Sequence, residues 1–247
     1  MRRKRWRLWF AVGLVALSTM LFGIHFLVFR DWHHLAIYTL GDIAFVPLEV
    51  LFVALILHEL LDWHERRELQ NKLKMLIGAF YSEVGIDLLE RLSVFDTRPD
   101  ELRRDFDVEV GWTDARLRQA AAVVEQRSFD LQPTREGVVE LREFMMSKRQ
   151  FLLRLLENPN LLENERFTDM MWAVFHLGDE LAHRKDIARS PDTDILHLGG
   201  DMERAYGHLI GEWFEHLRHL KARYPFLFSL GVRTNPLDFE AGVEVLE

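Results

Sequence analysis

The stretch Leu35–Leu61, LAIYTLGDIAFVPLEVLFVALILHELL, constrains this chain more than any other. An apolar run of that length is at ease as a helix only in lipid or deep inside protein, because every backbone polar group must be satisfied within the segment. Three residues break the run: Asp42, Pro47 and Glu49. A carboxylate at membrane depth is costly, so Asp42 and Glu49 are candidate functional positions from the outset.

A second apolar run precedes it. Leu8–Phe29 is 22 residues without a charge, interrupted only by His25. At about 1.5 Å per residue it can cross about 30 Å of hydrocarbon. A cleaved signal peptide is the competing reading, but the run is too long, no A-x-A site follows, and another span comes next. The turn between the runs is expected at Arg30–His34, with Trp32 at interface depth.

Basic residues flank both outer ends: Arg2, Arg3, Lys4, Arg5 and Arg7 before the first span, and Arg66, Arg67, Lys72 and Lys74 after the second. The positive-inside rule then places both termini in the cytoplasm, with the hairpin in the inner membrane. Trp6, Trp9 and Trp63 suit the inner aromatic belt.

Antiparallel pairing across the turn would bring His25 and Gly23 beside Asp42 and Gly41, and Glu49 beside Ala16–Thr19. A His25–Asp42 pair would relieve both groups, and Ser18 or Thr19 could donate to Glu49. Thr19-x-x-x-Gly23 permits close helix approach, and Pro47 should kink the second span beside Glu49. Asp42 and Glu49 are seven apart and share a helical face. That face either lines a cation path in an oligomer or hydrogen-bonds to hold a dimer together.

Residues 65–247 remain for a soluble domain, about 180 residues and enough for a sizeable core. Net charge is −8, with no basic stripe interleaved with aromatics, which argues against nucleic acid as a partner. The absence of cysteine excludes disulfides, thiolate metal sites and a cysteine nucleophile.

Glu65–Phe95 reads as one long helix continuing from the second span. Its stripe comprises Leu69, Leu73, Leu76, Ile77, Phe80, Val84, Leu88 and Leu92. Gly78 and Gly85 suit close packing, while Glu83 lies at the stripe's edge and Asp87 falls nearly in line with Leu69 and Phe80. Thr97–Pro99 ends this helix. Further helices are expected at 99–106, at 113–127 capped by Thr113, and from Thr134 to about Glu157, closed by Asn158-Pro159-Asn160. Strand-like alternation is scarce, so the fold class is all-α: a transmembrane hairpin (1–64) followed by a cytoplasmic helical bundle.

Two later helices carry polar faces. On 167–189 the apolar stripe is Met170, Val174, Leu177 and Leu181, and His176, Glu180 and His183 lie about 130° round from it. On 194–222 Asp201, His208, Glu212 and His219 share a face similarly turned from the stripe through Met202, Leu209 and Trp213. Glu180-x-x-His183 has the spacing by which helical bundles hold carboxylate-bridged metals. With Glu83 from a third helix, the set Glu83, His176, Glu180, His183, His208 and Glu212 could take a divalent metal pair. The blander expectation is solvated, salt-bridged faces and no cofactor.

Tyr224–Pro236 is apolar, aromatic and broken by two prolines and a glycine. Such a segment should fold back on the bundle or dock on a partner. Tyr224, Phe226, Phe228, Arg233 and Asn235 are its candidate interaction residues.

Three stretches, FVPLEVLFVALILHELL, KLKMLIGAFYSEVG and RYPFLFSLGVRTNP, together resemble a group of uncharacterised bacterial and archaeal membrane proteins. The resemblance covers most of the chain from Phe45 onward. It implies that hairpin and helical domain form one unit, and it transfers no catalytic or binding residue. No nucleophile elbow, phosphate loop, dinucleotide fingerprint or zinc-hydrolase motif is present. The sequence therefore points to a non-enzymatic membrane protein that self-associates or docks a cytoplasmic partner. A cation channel through Asp42 and Glu49, or a tethered di-metal enzyme, are the alternatives.

Overall fold

The computed structural model describes residues 2–238, 241, 242 and 244, and the side chains of these except residues 2–8, 160 and 162. The basic cluster Arg2–Arg7 and Trp6 have their side chains outside the described set. The described residues are almost all helical, and their one β-type contact is a bridge between Asp96 and Leu131. The chain divides into two units, Met1–Glu65 and Arg66–Glu247, and each is described by itself.

The first unit holds α1 (Arg2–Phe29) and the leading part of α2 (Trp32–Phe80). Both helices are long and apolar enough to cross a membrane, and their apolar windows are not buried within the protein. The reversal is shorter than the expected five-residue turn. Arg30 takes a left-handed φ of 50°, and Asp31 caps α2 by accepting from the His34 amide at 3.0 Å. This tightening moves the register by roughly one helical turn. The His25 ring therefore meets Phe29 and His34, at 4.8 and 6.4 Å between centroids, and not Asp42. The Thr19 hydroxyl donates to the Val15 carbonyl of its own helix at 2.9 Å, not to Glu49. A Cβ at Gly23 or Gly41 would meet nothing within 4 Å, so neither glycine serves close approach inside the chain. Pro47 stays inside α2, where it removes the amide that would reach the Ile43 carbonyl.

In the second unit, α2 does not run on as one regular helix. A π-turn, Tyr81–Gly85, separates it from α3 (Ile86–Ser93). A Cβ on Gly85 would lie 2.5 Å from the Tyr81 ring and 2.9 Å from that of Phe80, so glycine is what lets both rings fold over the backbone. The wider turn shifts the downstream face by about one residue, or about 100°. Tyr81 and Leu89 thereby join the core, and Glu83 and Asp87 turn outward to solvent.

Short α4 (Pro99–Phe106) precedes α5 (Asp114–Gln126) and α6 (Arg135–Leu156). The expected caps are in place: Thr113 accepts from the Arg116 amide and Thr134 from the Gly137 amide, each at 3.2 Å. Next, α7 (Glu165–His183) is capped by Asn164 and stops six residues before the expected end at Arg189. There Arg184 leaves the helix to bond the Glu180 side chain and both Asp194 oxygens. The organising element is α8 (Asp192–Arg223), which packs on α3, α5, α7 and the closing helix α9 (Pro225–Arg233). Because α8 has neighbours on several sides, its polar face is not solvated as the spacing suggested. Asp201 and Glu212 are both only 4% exposed.

Candidate functional site

Side chains with unmet or strained polar demand gather along α8 in two places. The first is a cleft of about 550 Å³ between α2, the start of α7 and α8. Its inner wall is Glu212 and, one turn on, His216. Tyr81 of the π-turn stacks on the His216 ring at 5.2 Å and 15°, and its hydroxyl donates to the Leu209 carbonyl at 2.7 Å. Trp213 closes the stack at 5.1 Å from Tyr81. His216 Nδ1 has no hydrogen-bond partner.

Burial moves these two groups in opposite directions. Glu212 is pushed up to about 7, because loss of hydration outweighs the Arg166 guanidinium, whose Nε lies 4.0 Å away. His216 is pulled down to about 4 by burial, with His219 adding a small repulsion. The Tyr81 phenol is held well above its ordinary value by burial and by Glu212. Two titratable groups pushed apart in this way form an arrangement that can hold or pass a proton near neutrality. Arg166 and Glu212 also line a second cleft of about 520 Å³ bounded by Asp169, Phe129 and His208. Glu212 thus stands in a wall with space on both sides.

The second place lies between α7 and the first half of α8. Glu180, His197 and Asp201 each offer a ligand atom, all within 4.8 Å of one another. His176 Nε2 is 3.6 Å from Asp201 Oδ1, and His197 Nε2 is 3.6 Å from Oδ2. Arg204 donates to Oδ1 at 3.0 Å, and Oδ2 is buried without a hydrogen bond. Arg184 donates to Glu180 at 2.7 Å and holds its carboxyl below the ordinary range.

The six residues proposed from spacing as a di-metal set are not assembled among the described residues. His176 and Glu180 come together, but with His197 and Asp201. His183 turns its Nδ1 to the Asp179 carbonyl of its own helix at 2.7 Å. Glu83 is exposed on the π-turn, His208 lines the second cleft, and Glu212 belongs to the wall described above. His216 and Tyr81 were not among the residues singled out from sequence. The available signal was a histidine inside the apolar stripe of α8, three residues after Trp213.

In the first unit, Asp42 and Glu49 are both exposed on α2, and among the described residues no hydrogen bond or ion pair reaches either. His25 keeps Nδ1 buried and unpartnered. At the far end of the chain the apolar segment folds back in part. Phe228 and Asn235 are buried, and the Asn235 amide donates to the Phe106 carbonyl at 3.1 Å while its oxygen accepts from the Leu237 amide at 3.2 Å. Arg233 is half-buried, with Nε lacking a partner. Tyr224, Phe226, Leu227 and Leu230 stay outside, Phe226 at 70% exposure.

Two family models match the chain: MJ1433, N-terminal helical domain, over residues 2–61, and Uncharacterized protein MJ1433, C-terminal helical domain, over residues 69–233. The Uncharacterized protein MJ1433 of Methanocaldococcus jannaschii is 37% identical over 238 residues, covering 96% of both chains. No solved structure matches the chain.

Proposed function

We propose, from the premise that the chain belongs to the MJ1433 family of helical proteins, that it is a two-span inner-membrane protein of a self-associating, non-enzymatic kind. Both termini lie in the cytoplasm, and the helical domain is presented there. The observation that carries this reading is the pair Asp42 and Glu49: exposed on one apolar helix, seven apart, without a hydrogen bond or ion pair among the described residues. In lipid such carboxylates need partners, and a second copy of the hairpin supplies them by symmetry. Leucines, valines and phenylalanines all round α1 and the leading part of α2 supply the lipid-facing surface. The uncovered strip of Tyr224, just before α9, and Phe226, Leu227 and Leu230 on it adds a soluble contact between copies.

Alkaline carbonate washing of membranes tests the anchor. The protein stays in the pellet if the hairpin spans the bilayer, and release into the wash overturns the reading. Subunit counting of the detergent-purified protein tests the association.

The same two carboxylates favour a second reading, an oligomeric cation channel with Glu49 as a ring. It requires cation flux in proteoliposomes that Glu49→Gln abolishes. A wild-type protein without flux removes it.

A further inference from the structure

We propose that Glu180, His197 and Asp201, completed by His176, form a binding site for one first-row divalent cation of the zinc type between α7 and α8. The site consists of two matching halves. His176 and Glu180 are four apart on α7, and His197 and Asp201 are four apart on α8, so each helix offers an imidazole and a carboxylate from one face. The packing of α7 on α8 brings the halves together.

Three features distinguish this group from an ordinary surface salt-bridge cluster. Asp201 is 96% buried, since only 4% of it is exposed, yet its Oδ2 accepts no hydrogen bond. A buried carboxylate oxygen left bare is costly, and here it faces the His197 ring nitrogen at 3.6 Å. The spacing also suits a metal. Ligand atoms on a tetrahedral zinc-type ion with bonds of about 2.0–2.1 Å sit about 3.4 Å apart. The free Asp201 Oδ2 lies 3.6 Å from His197 Nε2, and the set of Glu180, His197 and Asp201 fits within 4.8 Å, with His176 approaching Asp201 from its Oδ1 side. Finally, the carboxylates are already held from outside. Arg204 takes Asp201 Oδ1 and Arg184 takes Glu180 Oε2, so one oxygen of each carboxylate is outside these bonds. Ligating carboxylates usually have such an outer partner, which fixes their direction.

Two imidazoles and two carboxylates select the class of ion. Imidazole ligation favours zinc, iron, cobalt or nickel over magnesium and calcium, which take oxygen ligands. His176 and His197 are about half exposed, which gives the ion a route in from solvent. Bound there, it ties α7 to the N-terminal half of α8.

The test uses the full chain in detergent, stripped with chelator and titrated with zinc chloride, with cobalt chloride as a coloured substitute. The wild type takes up one ion per chain, the cobalt form shows visible d–d absorption, and zinc raises the melting temperature. His197→Ala weakens binding by at least about 100-fold, since losing a ligand costs no less than losing a group that orients one. Since His197 is largely exposed, that variant keeps its fold, and Asp201→Asn provides the second variant. His208→Ala and His183→Ala, which remove histidines outside the group, leave binding unchanged. A wild type that takes up neither ion, or binding that survives His197→Ala intact, overturns the proposal.

Discussion

Replacing Glu212 by Gln should make the protein more stable at alkaline pH and leave it little changed at acid pH. The reasoning starts from burial. In the folded chain Glu212 titrates at about 7, against an ordinary value of 4.5 when unfolded. An acid whose folded value is raised binds more protons folded than unfolded throughout the window between the two. Stability is therefore lost as pH rises from about 4.5 to 7, and the full penalty persists above 7. At about 1.4 kcal/mol per tenfold change in acidity, the difference amounts to about 3 kcal/mol. Glutamine has the same shape and a neutral head, so it removes the ionisation and with it the penalty. The attraction of Arg166, 4.0 Å away, acts on the ionised carboxylate and is already contained in the folded value of about 7, so it needs no separate subtraction. His216 supplies an opposing slope, because its folded value of about 4 lies below the ordinary 6.5. A lowered histidine costs stability as pH falls through that window, so the contributions of Glu212 and His216 nearly cancel between about pH 4.5 and 6.5. In Glu212→Gln only the histidine slope remains. Thermal unfolding of the detergent-solubilised chain at pH 5, 6.5 and 8 reads this directly. The melting-temperature gain should grow with pH to about 6–12 °C at pH 8, given about 2–4 °C per kcal/mol for a domain of this size. A difference that does not grow with pH, or a variant less stable than wild type at pH 8, refutes the burial argument.

Other substitutions probe the remaining parts of the account. Gly85→Ala drives a Cβ to 2.5 Å from the Tyr81 ring in the π-turn and should cost about 1–3 kcal/mol, read as a lowered melting temperature. The Tyr81–His216 stack loosens with it, so near-ultraviolet dichroism should also fall. Asn235→Leu leaves the Phe106 carbonyl and the Leu237 amide unpaired and should cost about 1–3 kcal/mol. Limited proteolysis should then cut the segment around α9 first, whereas unchanged protection would contradict the part of Asn235 in holding that segment to Phe106. Phe226→Ser removes exposed apolar surface without touching the core, so it should weaken self-association while leaving thermal stability within about 0.5 kcal/mol.

Much of the helical domain was legible because its signals are local. Thr113 and Thr134 stand just before apolar periodicity and do cap α5 and α6. The stripes of α7 and α8 are the faces the core takes up. What escaped were features that depend on neighbours. Asp31 reads as part of a turn until the His34 amide is seen bonded to it. The π-turn is invisible to a 3.6-residue period, which therefore carries the exposed Asp87 into line with Leu69 and Phe80 and leaves Tyr81 out. Arg184 ends α7 because Asp194, ten residues later, lies within reach of its guanidinium. The polar residues of α8 looked solvated because an isolated helix has one buried face, whereas this one is enclosed. The same enclosure explains the site. His176 and Glu180 could be picked by spacing, but that their companions are His197 and Asp201 depends on how α7 seats against α8.

The central claim is that intramembrane carboxylates without partners in one chain find them in another. Native mass spectrometry of the detergent-purified protein tests it most directly, by counting subunits for the wild type and for the Asp42→Asn, Glu49→Gln double variant. The account predicts a wild type of two or more subunits and a double variant shifted towards monomer. A monomeric wild type, or an oligomer unmoved by the double substitution, would contradict it.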